Sequence, residues 1–225
     1  MSTVIDSEPT ATRESPVTTG QLRRQLAAAV RVLLVLTLLL GVVYPAVVWG
    51  VSRLPGLHAN AEGSVMPGIG GSSLIGIDPV PANPAADPWF HPRPTASAPD
   101  DAVAGLGPAD ATTSGGSNLG PSSEDLATAV ADRRAAIAAR EGVDPAVIPP
   151  DALTASASGL DPQISPAYAA LQVPRVARVT GLGEDRVRAL VAAATDGRTF
   201  GVLGEPRVNV QELDASLATV VPGIR

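Results

Sequence analysis

The chain has 225 residues, 16 basic side chains that are all Arg, 22 acidic ones and a net charge of −6; 45% of it is apolar, only 3% aromatic, and it has no cysteine. Disulfides and thiolate metal sites are therefore excluded, and the acidic balance argues against a nucleic-acid partner. The length suffices for one anchor and one ordinary domain, whose core must come from Val, Leu, Ile and Ala with Trp89, Phe90, Tyr168 and Phe200 as its large pieces.

Residues 1–20 are rich in Ser, Thr and Pro with no apolar period and read as disordered, so 1–25 is expected to be a tail. Residues 32–51, VLLVLTLLLGVVYPAVVWGV, hold twenty positions without a charge, thirteen of them Leu or Val. As a helix this run is about 30 Å long, which matches the hydrocarbon core of a bilayer, and 26–51 is expected to be a transmembrane helix. Arg13, Arg23, Arg24 and Arg31 precede it, whereas Arg53 is the only basic residue in the next forty. The positive-inside rule then makes the tail cytoplasmic and residues 52–225 extracytoplasmic, in the inner (plasma) membrane of the cell. The alternative is a cleaved secretory signal with a site at His58-Ala59-Asn60-Ala61. Against it, the run exceeds the roughly 7 to 15 residues of a signal core and follows an unusually long polar segment.

Pro45 lacks an N–H and crowds the carbonyl of Gly41, which predicts a kink near Gly41. Thr37, Gly41 and Pro45, then Ala46 and Gly50, recur at four-residue spacing. These small faces suit close packing against another membrane helix, with chance placement toward lipid as the alternative.

From 52 to 110 the chain is crowded with Gly, Pro, Asn and Asp, and only 72–77 (SSLIGI) reads as a strand. A turn of Ser114, Gly115, Gly116, Ser117 and Asn118 then leads toward the best helix outside the membrane. Ser122 with Asp125 resembles a capping box, Leu126, Val130, Arg133, Ile137 and Arg140 follow at helical spacing, and Gly142 stops the helix. Residues 151–156 alternate weakly, as a strand would. Ser165 and Pro166 read as N-cap and first position of a helix that Val173-Pro174 should break or bend, with 175–180 and 184–194 as further helical pieces. Segments 199–203 and 207–210 are short strand candidates. The expected fold class is α+β: one N-terminal transmembrane helix followed by a single extracytoplasmic domain with a small sheet and several short helices.

Two histidines, His58 and His91, cannot hold zinc without carboxylate help. An anchored hydrolase is arithmetically possible, but no G-x-S-x-G nucleophile elbow followed by a helix is present. His91, between Phe90 and Pro92, reads as a packed or hydrogen-bonded loop residue. The Ser114 to Asn118 turn has two readings. Its backbone N–H groups could cradle an anion near a helix N-terminus, or it could be a structural turn; it lacks the lysine of a phosphate loop.

Several stretches resemble the KdpC family, the C subunits of bacterial high-affinity potassium-transporting Kdp ATPases. They are 36–45 (LTLLLGVVYP), 72–76 (SSLIG), 89–94 (WFHPRP), 114–122 (SGGSNLGPS), 153–166 (LTASASGLDPQISP), 172–177 (QVPRVA) and 197–210 (GRTFGVLGEPRVNV), ordered along almost the whole chain beyond residue 20. The family usually has His where Gln163 and Ala194 stand and Gly where Pro92 stands, so no role for those two histidines operates here.

The resemblance implies a non-catalytic accessory subunit. Its partners would be the A subunit (KdpA), which carries the potassium pathway, the B subunit (KdpB), a P-type ATPase, the small F peptide (KdpF), and membrane lipid. It implies no cofactor held by this chain itself, ATP being bound through the B subunit. It also implies a catalytic chaperone that raises the ATP affinity of the B subunit, the Ser114 to Asn118 turn being likened to nucleotide-binding signatures. The expected topology opposes direct contact, since ATP is cytoplasmic, and favours an indirect effect through the assembly.

Overall fold

The structure, a computed structural model, describes residues 18–66 and 71–224, and the chain divides into two compact units at the Ala61/Glu62 junction. Of the tail expected at 1–25, residues 1–17 lie outside the described residues and 19–25 belong to the first helix.

The first unit is a helix that runs from Thr19 to Ser52, 34 residues, as α1 (Thr19–Leu38), a π-helical turn (Leu39–Val43) and α2 (Tyr44–Ser52), followed by the short α3 (His58–Ala61). It begins earlier than the expected boundary at residue 26 because Thr18 and Gln21 form a capping box: Thr18 Oγ1 accepts the Gln21 N–H, and Gln21 Oε1 accepts the Thr18 N–H at 2.9 Å. At 1.5 Å per residue the helix is about 50 Å long, so its Arg-bearing start extends beyond a hydrocarbon core of about 30 Å. No residue of α1 or α2 is buried within the chain.

Among its described residues the second unit, Glu62–Arg225, joins five α-helices and a three-stranded sheet. The helices are α4 (Glu124–Glu141), α5 (Pro150–Leu153), α6 (Pro166–Thr180), α7 (Glu184–Ala193) and α8 (Val210–Val220). The strands are β1 (Gln163–Ile164), β2 (Thr195–Asp196) and β3 (Arg207–Asn209), in the antiparallel order β1-β3-β2 with Ile164 and Thr195 both opposite Val208. Val208 and Ile164 face a core that also takes Ile137 from α4, Tyr168, Val173 and Val176 from α6, Val187 from α7, and Leu213 and Leu217 from α8. One membrane-length helix followed by a domain of short helices and a small sheet is the expected α+β class.

Local expectations fail where tertiary contacts outweigh pattern. The N-cap of α4 is Ser123, whose hydroxyl accepts the Leu126 N–H at 3.3 Å, not Ser122. Residues 72–77 form no strand: Ser72 makes a single bridge to Val65, and Gly76 N–H turns away to the Leu160 carbonyl at 2.8 Å. Residues 151–156 are the end of α5 and an extended turn. Helix α6 runs unbroken through Pro174, since this proline and Ala170, whose carbonyl loses its helical partner, lie on the solvent-exposed face of the helix. Residues 199–203 close a tight hairpin held by a single bridge between Thr199 and Leu203 rather than a strand. Phe200, expected in the core, is 90% exposed.

Candidate functional site

The expected membrane interface is carried on the first unit. The Tyr44 N–H donates to the Leu39 carbonyl, five residues back, immediately before Pro45. The wider turn accommodates a ring that would strike the Gly41 carbonyl in an α-helix. Where a kink near Gly41 is expected, the helix instead has a π turn with Gly41 at its centre. It also re-phases the small residues. Eight α-helical residues would leave Pro45 about 80° from Thr37, and the extra residue in a π turn removes about 100°, which returns the two to within about 20° of one line. Ala46 and Gly50 form a second line on α2, and a Cβ built on Gly41 or Gly50 meets nothing in the chain.

The second candidate, Ser114 to Asn118, lies on the other unit and runs against the 156–159 segment. Gly115 N–H donates to the Ser158 carbonyl at 2.8 Å and Ser114 Oγ donates to the same oxygen at 3.0 Å. Gly159 has φ +75°, and a Cβ there would come within 2.9 Å of the Gly115 carbonyl, so the two strands of chain meet only because Gly159 has no side chain. Asn118 takes φ +53° and its amide donates to the Gly116 carbonyl at 3.2 Å. The helix that follows opens with Glu124 and Asp125, whose charges disfavour a phosphate at that N-terminus.

The chemistry-bearing groups gather elsewhere, around His91. Its ring nitrogens lie 2.6 Å from Asp78 Oδ1 and 2.6 Å from Asp87 Oδ2. Its backbone is clamped by Gln172, which accepts the His91 N–H at 2.9 Å and donates to the His91 carbonyl at 3.2 Å. The Phe90 N–H donates to Asp214 Oδ1 at 3.0 Å. Arg175 holds the other side: its Nε donates to both oxygens of Glu141 at 3.1 and 3.0 Å, and its fork reaches the Asp87 carbonyl at 2.7 Å and Gln172 Oε1 at 3.1 Å. Arg140 bonds Glu141 at 2.7 Å and the Tyr168 hydroxyl at 2.9 Å.

Thus the loop bearing Asp87 to His91 is pinned to α4, α6 and α8 by a buried network, and among the described residues no buried side-chain nitrogen or oxygen lacks a partner. Burial pushes the Asp87 carboxyl up, but the hydrogen bond and charge of His91, the Trp89 N–H and Arg175 outweigh it and hold the group below its ordinary value. Asp214 goes the other way: burial, with Asp78 and Asp87 nearby, raises it well above that value despite the Phe90 N–H and Arg175. A second polar feature is an open groove of about 600 Å³ beside the sheet, lined by Arg93, Asp161, Gln163, Asp196 and Asn209 among others.

Sequence reasoning placed His91 in a hydrogen-bonded loop and missed its partners. The signals that could have found them are local: Asp87 stands four before His91, and Glu141 and Arg175 stand at helix positions where the repeat calls for apolar residues.

A family model described as KdpC, K+-transporting ATPase, c chain, matches residues 26–219. Three proteins named potassium-transporting ATPase KdpC subunit are similar to the chain over most of both lengths. That of Kineococcus radiotolerans is 50% identical, over 89% of this chain and 96% of its own. That of Methylorubrum extorquens is 44% identical, over 86% and 96%. That of Koribacter versatilis is 40% identical, over 89% and 97%. With one membrane-length helix ahead of an α+β domain and a match that runs through both, the chain belongs to the KdpC family, the c-chain subunits of K+-transporting ATPases.

Proposed function

We propose that this chain is a non-catalytic accessory subunit of an ATP-driven potassium-uptake complex. It holds the assembly together from outside the membrane and supports ATP-coupled K+ import. The observation that carries this reading is the commitment of the buried His91, Asp87, Glu141 and Arg175, with the part-buried Asp78, to one another, where they rigidify a docking body and are not presented to a substrate. The N-terminus is cytoplasmic by the arginine asymmetry, and the Glu62–Arg225 unit caps the outer face of the potassium-conducting A subunit. Thr37, Gly41, Pro45, Ala46 and Gly50 pack against a membrane helix of the A, B or F subunit.

Effects on the ATP affinity of the B subunit pass through the assembly. Direct nucleotide contact at Ser114 to Asn118 is the competing reading. A cysteine replacing Ser117 in an otherwise cysteine-free chain separates them: labelling by a membrane-impermeant thiol reagent in intact cells is expected. Labelling only after the cells are opened would reverse the orientation and restore the nucleotide reading.

A further inference from the structure

The chain has two phenylalanines, and it buries one completely while leaving the other 90% exposed. Among the described residues of the Glu62–Arg225 unit, Phe200 is the largest apolar side chain in solvent, and Val202 and Leu203 beside it are 72% and 59% exposed. The tip is not loose. Thr199 N–H donates to the Leu203 carbonyl at 2.9 Å, Leu203 N–H returns to the Thr199 carbonyl at 3.0 Å, and Gly201 N–H donates to the Arg198 carbonyl at 3.0 Å. Phe200 itself has φ +54°, a left-handed conformation disfavoured for an aromatic residue, so the hairpin sustains an unfavourable backbone while gaining no burial within the chain.

Below the tip stand two ion pairs, Arg198 with Glu205 at 2.7 Å and Arg207 with Asp196 at 3.4 Å, the second across the β2–β3 ladder. We propose that this hairpin is an anchor that inserts Phe200, flanked by Val202 and Leu203, into an apolar pocket on the outer face of a partner subunit of the transporter. The proposal rests on the accessory-subunit reading above.

Charge selects a protein over a lipid surface as the occupant. Apolar wedges that enter an anionic headgroup layer are accompanied by Lys or Arg facing that layer. Here each collar guanidinium already faces a carboxylate, and the unit carries 19 acidic against 11 basic side chains, which such a layer repels. An aromatic centre ringed by paired charges has the anatomy of a protein hot spot, and a tip already fixed by its own hydrogen bonds loses little freedom on docking.

The test uses the full chain in the assembled pump. With p-benzoylphenylalanine in place of Phe200, irradiation is expected to yield a covalent adduct with another pump subunit. Adducts with lipid alone, or none, overturn the proposal. Phe200→Asp is expected to leave the thermal midpoint of the detergent-solubilised chain unchanged while weakening its retention in the complex by roughly 30-fold, with Phe200→Leu retaining most of it. Wild-type retention of Phe200→Asp likewise overturns the anchor. A chain ending at Ala61 separates the two levels: its retention at wild-type strength sinks the accessory reading, whereas its loss beside a retained Phe200→Asp variant sinks the anchor alone.

Discussion

The membrane helix and the network around His91 answer opposite solvent problems. Along Thr19–Ser52 no side chain is buried within the chain, and between its caps the helix satisfies its own N–H and C=O groups. Around His91 the chain does the reverse: an irregular loop carries unpaired backbone groups into the interior, where Gln172, Asp214 and Arg175 must satisfy them. One region works by uniformity, whereas the other works by mutual completion, so that removing Gln172 alone takes a partner from the His91 N–H, the His91 carbonyl and Arg175.

That contrast is most easily broken at Arg175. Arg175→Ala leaves the fully buried Glu141 side chain with Arg140 alone, takes the donor from the Asp87 carbonyl, and is expected to destabilise the chain by about 3 kcal/mol in denaturant unfolding of the detergent-solubilised protein. A loss under about 1 kcal/mol would mean that the network does not organise the domain. His91→Ala, which strips two carboxylates of a common partner, is expected to remove about 3 kcal/mol by the same measurement.

Protons probe the same network with two signs. Asp87 is held low in the folded state, so its contribution is complete above the ordinary carboxylate range and is lost as pH falls through its folded value. Asp214 is held high, so its contribution is complete below that range and declines as pH rises toward its folded value. Asp214→Asn keeps an oxygen for the Phe90 N–H and is expected to flatten the decline on the high-pH side. An unchanged stability–pH curve would show that Asp214 does not titrate on folding.

Smaller effects sharpen the two regions from their edges. Ser123→Ala is expected to lose about 1 kcal/mol of unfolding free energy through its cap, and Ser122→Ala under about 0.5. The reverse order would restore the cap that the sequence suggests. Gly41→Leu, on the helix, is expected to leave domain unfolding within about 0.5 kcal/mol of wild type while reducing co-purification with the other pump subunits. Unaltered co-purification would remove Gly41 from the interface.

The uncharged run, the Ser165-Pro166 helix start and the glycine stop at Gly142 are legible because each rests on neighbours in sequence. The π turn was half legible: Pro45 announced a disturbance at Gly41, but whether the helix bends or widens depends on how one turn absorbs the ring. At Pro174 the same rule failed, because the side of the helix that faced water was not visible in the pattern. Composition alone points Phe200 into the core, because it cannot distinguish an aromatic residue that fills a domain from one that leaves it.

The sequence by itself determined the one helix long and apolar enough to cross a membrane, the α+β class and the family, since hydropathy, capping and short motifs are local properties written in order along the chain. Only the tertiary structure decided that Asp78, Asp87, His91, Glu141, Gln172, Arg175 and Asp214 act as one body, and that Phe200 stands alone outside it. Those pairings join residues up to 124 positions apart, and what selects them is the requirement that no buried charge or backbone group be left without a partner, a condition met by the folded chain as a whole.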